Sequence, residues 1–556
     1  MPAIFFDPEG YKRSSEAVLG RRVAGEGFLR ALRSYSSESR LHFYLPRALS
    51  IRERDWLLDS IGTTTEVVFL TAKDKSHLAN AGGLFFPGPN LTELSRNRAN
   101  MQAAAWPISG VTHTTASARV IDELTGMITA PVQPWDALIC TSQAVKSNVE
   151  RLMQAEVDRL KDRLGIQKLV LPRLPVIPLG IHPDDFQFPD EDRAAARLAL
   201  GAGENTRVVV FVGRLSFHAK ANPLAMYQAL ERAAKTLRDG EDVVLVECGW
   251  HANDGQKAAF EAAAKLACPS VRVVTLDGRV EDERNRAWAA ADVFCSLSDN
   301  IQETFGITPI EAMAAGLPVV VSDWDGYKET VRDGVDGFRI PTLMPAPGLA
   351  GDLAMRHGLE LDTYDMYCGQ TSALIAVDID RTADAFSRLF ASEDLRRQMG
   401  AAGRQRARDV YDWKHIIPVY EQLWNELDAI RKSEGPKLKP SPIPWPARPD
   451  PFHAFAAYPT TVLGDNTVLE LAFASPGIAM DRIGELMGLL MVNYTPLVIP
   501  SEAELDHILQ QAAAGPKPAL ALVQDLPDDR KAFAFRGLAW LVKIGILKVS
   551  AFKVAG

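Results

Sequence analysis

Cysteine is scarce in this chain, and nothing pairs it. Five cysteines among 556 residues (Cys140, Cys248, Cys268, Cys295 and Cys368) are scattered, odd in number and never set at metal-ligand spacing. That excludes a disulfide framework and suits buried apolar residues of a reducing compartment. Long hydrophobic runs are missing too: none approaches the 18 residues of a membrane-spanning helix. The opening, MPAIFFDPEG, lacks the basic-then-apolar order of a secretory signal. A cytoplasmic, soluble protein is the expectation. There is no excess of positive charge: 61 Lys and Arg against 70 Asp and Glu leave a formal charge of −9. This argues against nucleic acid as a partner held by bulk electrostatics. What is present is an ordinary globular composition, 47% apolar and 24% charged, long enough for two or three domains.

Short apolar, β-branched runs alternate with longer amphipathic stretches. Strand candidates in the first part are Ala3–Phe6, His42–Leu45, Glu66–Leu70, Gly83–Phe86, Ile108–Val111, Ala137–Thr141 and Pro175–Pro178. A second series comprises Val208–Val212, Val243–Glu247, Val271–Thr275, Val293–Leu297 and Pro318–Val321, with helical stretches between. Such alternation implies parallel sheets covered on both faces, and there are two sets. The expected division is 1–185, then 186–413, with 414–432 crossing back to the first domain. Residues 342–370 read as an insertion or extended loop. A proline-rich linker over 433–451 precedes an accessory module, 452–556, whose last third suggests a winged-helix-like α+β unit serving dimerisation or partner binding.

The run Glu-Thr-Phe-Gly-Ile-Thr-Pro-Ile-Glu, residues 303–311, sets two carboxylates seven residues apart around a glycine-containing loop that feeds a helix. Thr308 suits the N-cap, Pro309 the first helical position, and Glu311 falls three residues after the cap. The amides of Phe305, Gly306 and Ile307 would lie at the positive helix end, a natural anion site. A plain capping box explains Thr308 and Glu311 but not Glu303 or the glycine. The second set's first strand runs into Gly213-Arg214-Leu215, with Lys220 six residues after the arginine. A strand-end loop is where open α/β sheets bind ligands, and Arg plus Lys suits a diphosphate.

Together with GLPVVVSDWDGYKETVRDGVDGF (Gly316–Phe338), WDALICTSQAVKSNV (Trp135–Val149) and PVIPLGIHPDDF (Pro175–Phe186), these segments resemble the retaining glycosyltransferases of family 4. The resemblance covers about residues 1–432 and implies the GT-B fold: two Rossmann-like doubly wound domains, the first for an acceptor and the second for a nucleotide-sugar donor. It implies that Arg214 and Lys220 contact the donor diphosphate. Glu303 would bond sugar hydroxyls, the amides of Phe305, Gly306 and Ile307 would meet sugar and phosphate, and Glu311 would hold the ribose. Arg279 and Val280 fall where backbone groups read the base. His113 resembles the family histidine near the donor sugar, and Gly25 and Gly27 the glycine loop that approaches phosphates and acceptor. His113, Lys220 and Glu303 are the residues expected to carry catalysis.

The implied activity is hexosyl transfer with retention, without metal or other cofactor, to a carbohydrate, lipid or small-molecule acceptor. Asp323-Trp324-Asp325 reads as a loop bordering the cleft, not a metal site. A nonenzymatic nucleotide-sugar sensor and a nucleotide-sugar 2-epimerase are the alternatives. Arginines mixed with acids from Lys12 to Arg54 leave peripheral membrane contact as a further hypothesis.

Overall fold

The computed structural model describes residues 1–12, 20–62 and 66–550. The chain divides into two units, Met1–Trp445 and Pro446–Gly556. The first unit contains two six-stranded sheets. Strands β1 (Ala3–Phe5), β2 (Arg40–Tyr44), β3 (Glu66–Leu70), β4 (Leu84–Phe86), β5 (Ile108–Val111) and β6 (Ala137–Ile139) form one, in the order β3-β2-β1-β4-β5-β6. Strands β7 (Thr206–Val212), β8 (Asp242–Gly249), β9 (Arg272–Asp277), β10 (Val293–Ser296), β11 (Val319–Ser322) and β12 (Gly337–Ile340) form the other, in the order β12-β11-β10-β7-β8-β9. All pairings in both are parallel. Counted from its own first strand, each sheet is the doubly wound 3-2-1-4-5-6. The two parallel α/β domains expected from the sequence are therefore both present.

Burial on both faces explains why the central strands carry no polar alternation. In β7, Val208, Val210 and Val212 enter one apolar core while Val209 and Phe211 enter the core on the opposite face, as the two-residue period of a strand requires. The first sheet is likewise sandwiched between two cores. One of them is closed by the helix Trp413–Glu434, whose Trp413, Ile416, Ile417, Tyr420, Leu423, Trp424 and Leu427 are buried at helical spacing. Its Trp424 indole donates to Ser109 Oγ at 3.0 Å, tying the chain's return to β5.

Several local expectations differ from the structure. Pro175–Pro178 is no strand but a single bridge between Cys140 and Val176, since Pro175 and Pro178 have no N–H to extend a ladder. The block after residue 316 contains an unforeseen edge strand, β12, short and glycine-led. Residues 342–370 are not an extended loop: they include the helix Gly351–Gly358 and the start of the helix Tyr364–Ser372. Of the segment Lys12–Arg54, residues 13–19 lie outside the described residues.

The second unit has helices Pro476–Met487, Glu502–Ala513 and Asp528–Lys543 around an antiparallel sheet in which Val468–Leu471 lies between Lys517–Pro518 and Leu547–Val549. In the last third of this unit Ala519–Leu522 makes a single 3₁₀ turn, and the helix Asp528–Lys543 leads to the final strand. Among the described residues no helix is long and apolar enough to cross a membrane.

Candidate active site

Both sheets reverse strand order at one point, between β1 and β4 and between β7 and β10. The loops leaving these strands at their carboxyl ends line one cleft of about 1450 Å³ inside the first unit. In the second lobe, β7 delivers Gly213, Arg214 and Lys220, and β10 delivers Gln302 and Glu303. Backbone crowding makes the loops fit. A Cβ on Gly249 would lie 1.9 Å from Gly213 O, and one on Gly278 would lie 2.9 Å from Gly249 Cα. The ends of β7, β8 and β9 thus approach closely only because glycine stands at each.

The polar side chains form a connected set. Lys220 Nζ and the Glu303 carboxylate make an ion pair, with Glu303 Oε1 also accepting from the Thr304 amide at 3.2 Å. Burial opposes the Glu303 charge, but Lys220 and the amides of Thr304 and Phe305 outweigh it and hold this carboxyl below its ordinary range. Arg214 Nη2 donates to Gln302 Oε1 at 2.7 Å and to the Ala219 carbonyl at 3.1 Å. These two cations and one anion come from distant stretches of sequence and converge at a switch point.

The helix that follows starts two residues earlier than expected. It spans Ile307–Ala314, and Gly306, at φ 82°, takes the cap position with no side-chain cap. A Cβ there would lie 1.9 Å from the Tyr327 ring, so this position requires glycine both for its left-handed backbone and for space. Thr308 consequently sits inside the first turn, and its buried Oγ1 has no hydrogen-bond partner. Glu311 and Ile307 line the cleft, whereas the Phe305 side chain turns into the core against Tyr411.

From the first lobe, His113 lines the cleft with Nε2 3.2 Å from the Pro87 carbonyl. Thr304 Oγ1 donates to the His113 carbonyl at 3.1 Å, and Ser142 Oγ donates to the Thr304 carbonyl at 2.9 Å. Glu329 reaches across to the helix Gln143–Leu164, accepting from its first amides, Gln143 N at 2.6 Å and Ala144 N at 3.3 Å. A carboxylate at that helix's positive end secures the lobe junction beside the cleft.

Four expected site residues are not among those lining the cleft, although Arg279 and Val280, expected to act through their backbone, lie between the lining residues Gly278 and Glu281. Gly25 and Gly27 lie within the helix Gly20–Tyr35 and do not line the cleft. A Cβ on Gly25 would meet Gly10 O at 2.5 Å, and one on Gly27 would meet the Trp413 indole at 3.2 Å. Their smallness serves helix packing. Arg279 folds back onto Asp277, with Nη2 to Oδ2 at 2.8 Å, and Val280 caps the next helix with its side chain exposed. The cleft wall there is Gly278, Glu281 and Arg284.

Residues 206–353 match the family of Glycosyl transferases group 1. That stretch holds Arg214, Lys220, Glu303 and Glu311. The D-inositol 3-phosphate glycosyltransferase of Mycolicibacterium gilvum (strain PYR-GCK) is 31% identical over 244 residues, 43% of this chain and 51% of that protein. The phosphatidyl-myo-inositol mannosyltransferase of Mycobacterium leprae (strain TN) is 27% identical over 330 residues, 58% of this chain and 69% of that protein. The chain spans about half the length of the first of these relatives. Solved structures with a similar course include Anabaena HepE in complex with UDP (15% identity, TM-score 0.49, 77% of this chain and 100% of that one). Another is sucrose-phosphate synthase from Thermosynechococcus elongatus (15% identity, TM-score 0.47, 77% and 99%).

Outside the expected set, residues 206–353 also bring Gln302, Trp250 and Arg284 to the cleft. Tyr364, just beyond that stretch, adds an interlobe contact, its hydroxyl 3.3 Å from Thr114 Oγ1. Asp323 ion-pairs with Arg339 at 3.6 Å and Asp325 is half-buried near Glu303. Among the described residues, no three of His, Cys, Asp and Glu group as a metal site requires.

Proposed function

We propose that this chain transfers a sugar from a nucleoside-diphosphate sugar to a hydroxyl acceptor, with retention of anomeric configuration and without a metal. The observation that carries the proposal is the convergence of Arg214, Lys220 and Glu303 at the switch point between β7 and β10, facing one cleft. In this reading Arg214 and Lys220 take the diphosphate, the forked guanidinium and the point charge offsetting the negative charge that grows on it. Lys220, drawn to phosphate, releases the Glu303 carboxylate to accept from sugar hydroxyls. Glu311 accepts from the ribose, and the amides opening the helix Ile307–Ala314 add their positive end. His113 stands on the first-lobe side, beside the sugar.

Chemistry then needs orientation more than a protein nucleophile. The bond from the anomeric carbon to the diphosphate oxygen breaks, and its electron pair leaves with the diphosphate. The acceptor oxygen bonds to the same face of that carbon, and its proton passes to the departing oxygen. Ordinary double displacement would need two carboxyl groups about 5 Å apart across the anomeric carbon. In this reading Glu303 is occupied by sugar hydroxyls, and Glu311 is built into a helix.

Thermal stabilisation and turnover with UDP-, GDP- and ADP-sugars test the proposal directly. One of them should raise the melting temperature and be consumed, and Glu303→Ala should abolish consumption in a protein that still melts cooperatively. Near-normal turnover in that variant refutes the assignment. Full activity in excess chelator is the expected result for metal independence.

A further inference from the structure

The two cations of the second switch point are held in different ways. Arg214 Nη2 donates only to neutral acceptors, Gln302 Oε1 at 2.7 Å and the Ala219 carbonyl at 3.1 Å. Among the described residues no carboxylate pairs with it, so its charge stands open to an anion. Lys220 is instead closed onto the Glu303 carboxylate. Both of that carboxylate's oxygens are engaged, Oε2 by Lys220 Nζ and Oε1 by the Thr304 amide. The pair is still within reach of a ligand: both side chains line the cleft, 21% and 12% exposed.

The backbones that carry the pair are pinned to each other. Asn300 Nδ2 donates to the His218 carbonyl at 2.7 Å, and Ser298 Oγ to the Lys220 carbonyl at 3.4 Å. Asp299 Oδ1 accepts from the Asn222 amide at 3.3 Å. The loop after β10 thus grips the loop after β7, and the pair opens by side-chain rotation with both backbones held. Opening leaves Glu303 short of donors. Burial opposes its charge, and with Lys220 withdrawn only the amides of Thr304 and Phe305 still favour it. Hydroxyl groups are the donors that can take the place of the ammonium.

Resting on the transferase reading above, we infer that the Lys220–Glu303 pair is a latch that makes sugar recognition conditional on a diphosphate. Arg214 captures the diphosphate first. The phosphate charge then draws Lys220 from Glu303, and the freed carboxylate accepts from hydroxyl groups of the attached sugar. A sugar that arrives alone meets a carboxylate already engaged at both oxygens. The site therefore selects sugars linked to a diphosphate over free ones.

The test titrates the full chain with UDP, GDP and ADP by calorimetry and follows whichever binds. Glu303→Gln keeps the shape of the side chain and removes the charge that holds Lys220. It should tighten the nucleoside diphosphate about ten-fold while transfer is lost. In a Lys220→Met background the same change should move that affinity less than about two-fold, since no ammonium remains to be released. A ten-fold gain that persists there belongs to the general field of the cleft and overturns the inference, as does unchanged or weaker binding in a folded Glu303→Gln. The unmutated chain gives a reading that no misfolded variant can spoil: the nucleoside diphosphate should strengthen binding of D-glucose or D-mannose, and a free sugar that binds equally well without it overturns the latch. Diphosphate binding with these signs but no sugar nucleotide consumed sinks the transferase reading and leaves the latch standing. Consumption by the unmutated chain with the signs reversed does the opposite.

Discussion

The two lobes of the first unit share one topology and use it for different chemistry. Each sheet runs 3-2-1-4-5-6, and each opens its switch point to the same cleft. In the second lobe that point carries Arg214, Lys220 and Glu303, charged side chains suited to a diphosphate. In the first it carries aromatic rings and backbone, with Phe5 and Phe86 ending the two central strands. The fold fixes where ligands go; the residues leaving the strands decide which.

The lobes also resemble each other below their sheets. Asp136, just before β6, takes two bonds from Arg98 at 2.6 and 2.8 Å and the Ile108 amide at 2.9 Å, with both charged side chains fully buried. Asp292, just before β10, takes Arg193 at 2.5 Å, Arg197 at 3.0 Å and the Val208 amide at 2.8 Å, but Arg193 is 38% exposed. Asp136→Ala strands a buried guanidinium and should cost about 3–5 kcal/mol. Asp292→Ala should cost distinctly less, since water reaches Arg193. Denaturant unfolding of the two variants checks the order, and equal losses would show that burial does not distinguish the pairs.

Lys220→Ala probes the other half of the comparison, the chemistry of the second switch point. Removing one charge-stabilising group should lower transfer about 10²–10³-fold with the melting temperature nearly kept. Near-normal transfer in a folded Lys220→Ala would mean that the second switch point does not supply this charge stabilisation.

Much of this arrangement is legible in the sequence because buried parallel strands leave unbroken β-branched runs, such as VVVFV in β7. Lys220 and Glu303 are legible because loops after such strands hold ligands. What escaped depends on packing between distant segments. Gly25 and Gly27 look like a phosphate loop in sequence, yet they make room for Gly10 and Trp413. Thr308 looks like a cap, but Gly306 can adopt a backbone that threonine avoids and takes the position. Tyr364 has no local signal, since its partner Thr114 lies 250 residues away.

Buried carboxyls sharpen the contrast through pH. Desolvation pushes Asp299 from 3.8 to about 7 and Glu247 from 4.5 to about 7, both in the second lobe. A raised carboxyl makes the folded state prefer the proton. The stability it contributes is fully present below about pH 3.8 for Asp299 and is lost as pH rises through 7. Asp299→Asn keeps a neutral side chain of the same shape, so between pH 5 and 8 it should remove about 3 kcal/mol of this pH-dependent loss. The Glu247 contribution should remain. Unfolding midpoints at pH 5, 6 and 8 give the slope; an unchanged slope in Asp299→Asn would mean that this group is ionised in the folded chain.

The smallest predicted effect concerns the seam between the lobes. The Tyr364 hydroxyl meets Thr114 Oγ1 at 3.3 Å and lies near Gln302, whose Oε1 accepts from Arg214. One phenol therefore links the loop after β5, which carries His113, to the guanidinium proposed to hold the diphosphate. Tyr364→Phe keeps the ring and removes only that link, worth about 1 kcal/mol. If the hydroxyl positions the closed cleft, kcat should fall about five-fold while donor KM moves less than about two-fold. A change confined to melting temperature would mean that the phenol only braces the helix Tyr364–Ser372. A rise in donor KM alone would place the hydroxyl on the donor itself, making the seam part of the second lobe's chemistry and not a coupling between the two.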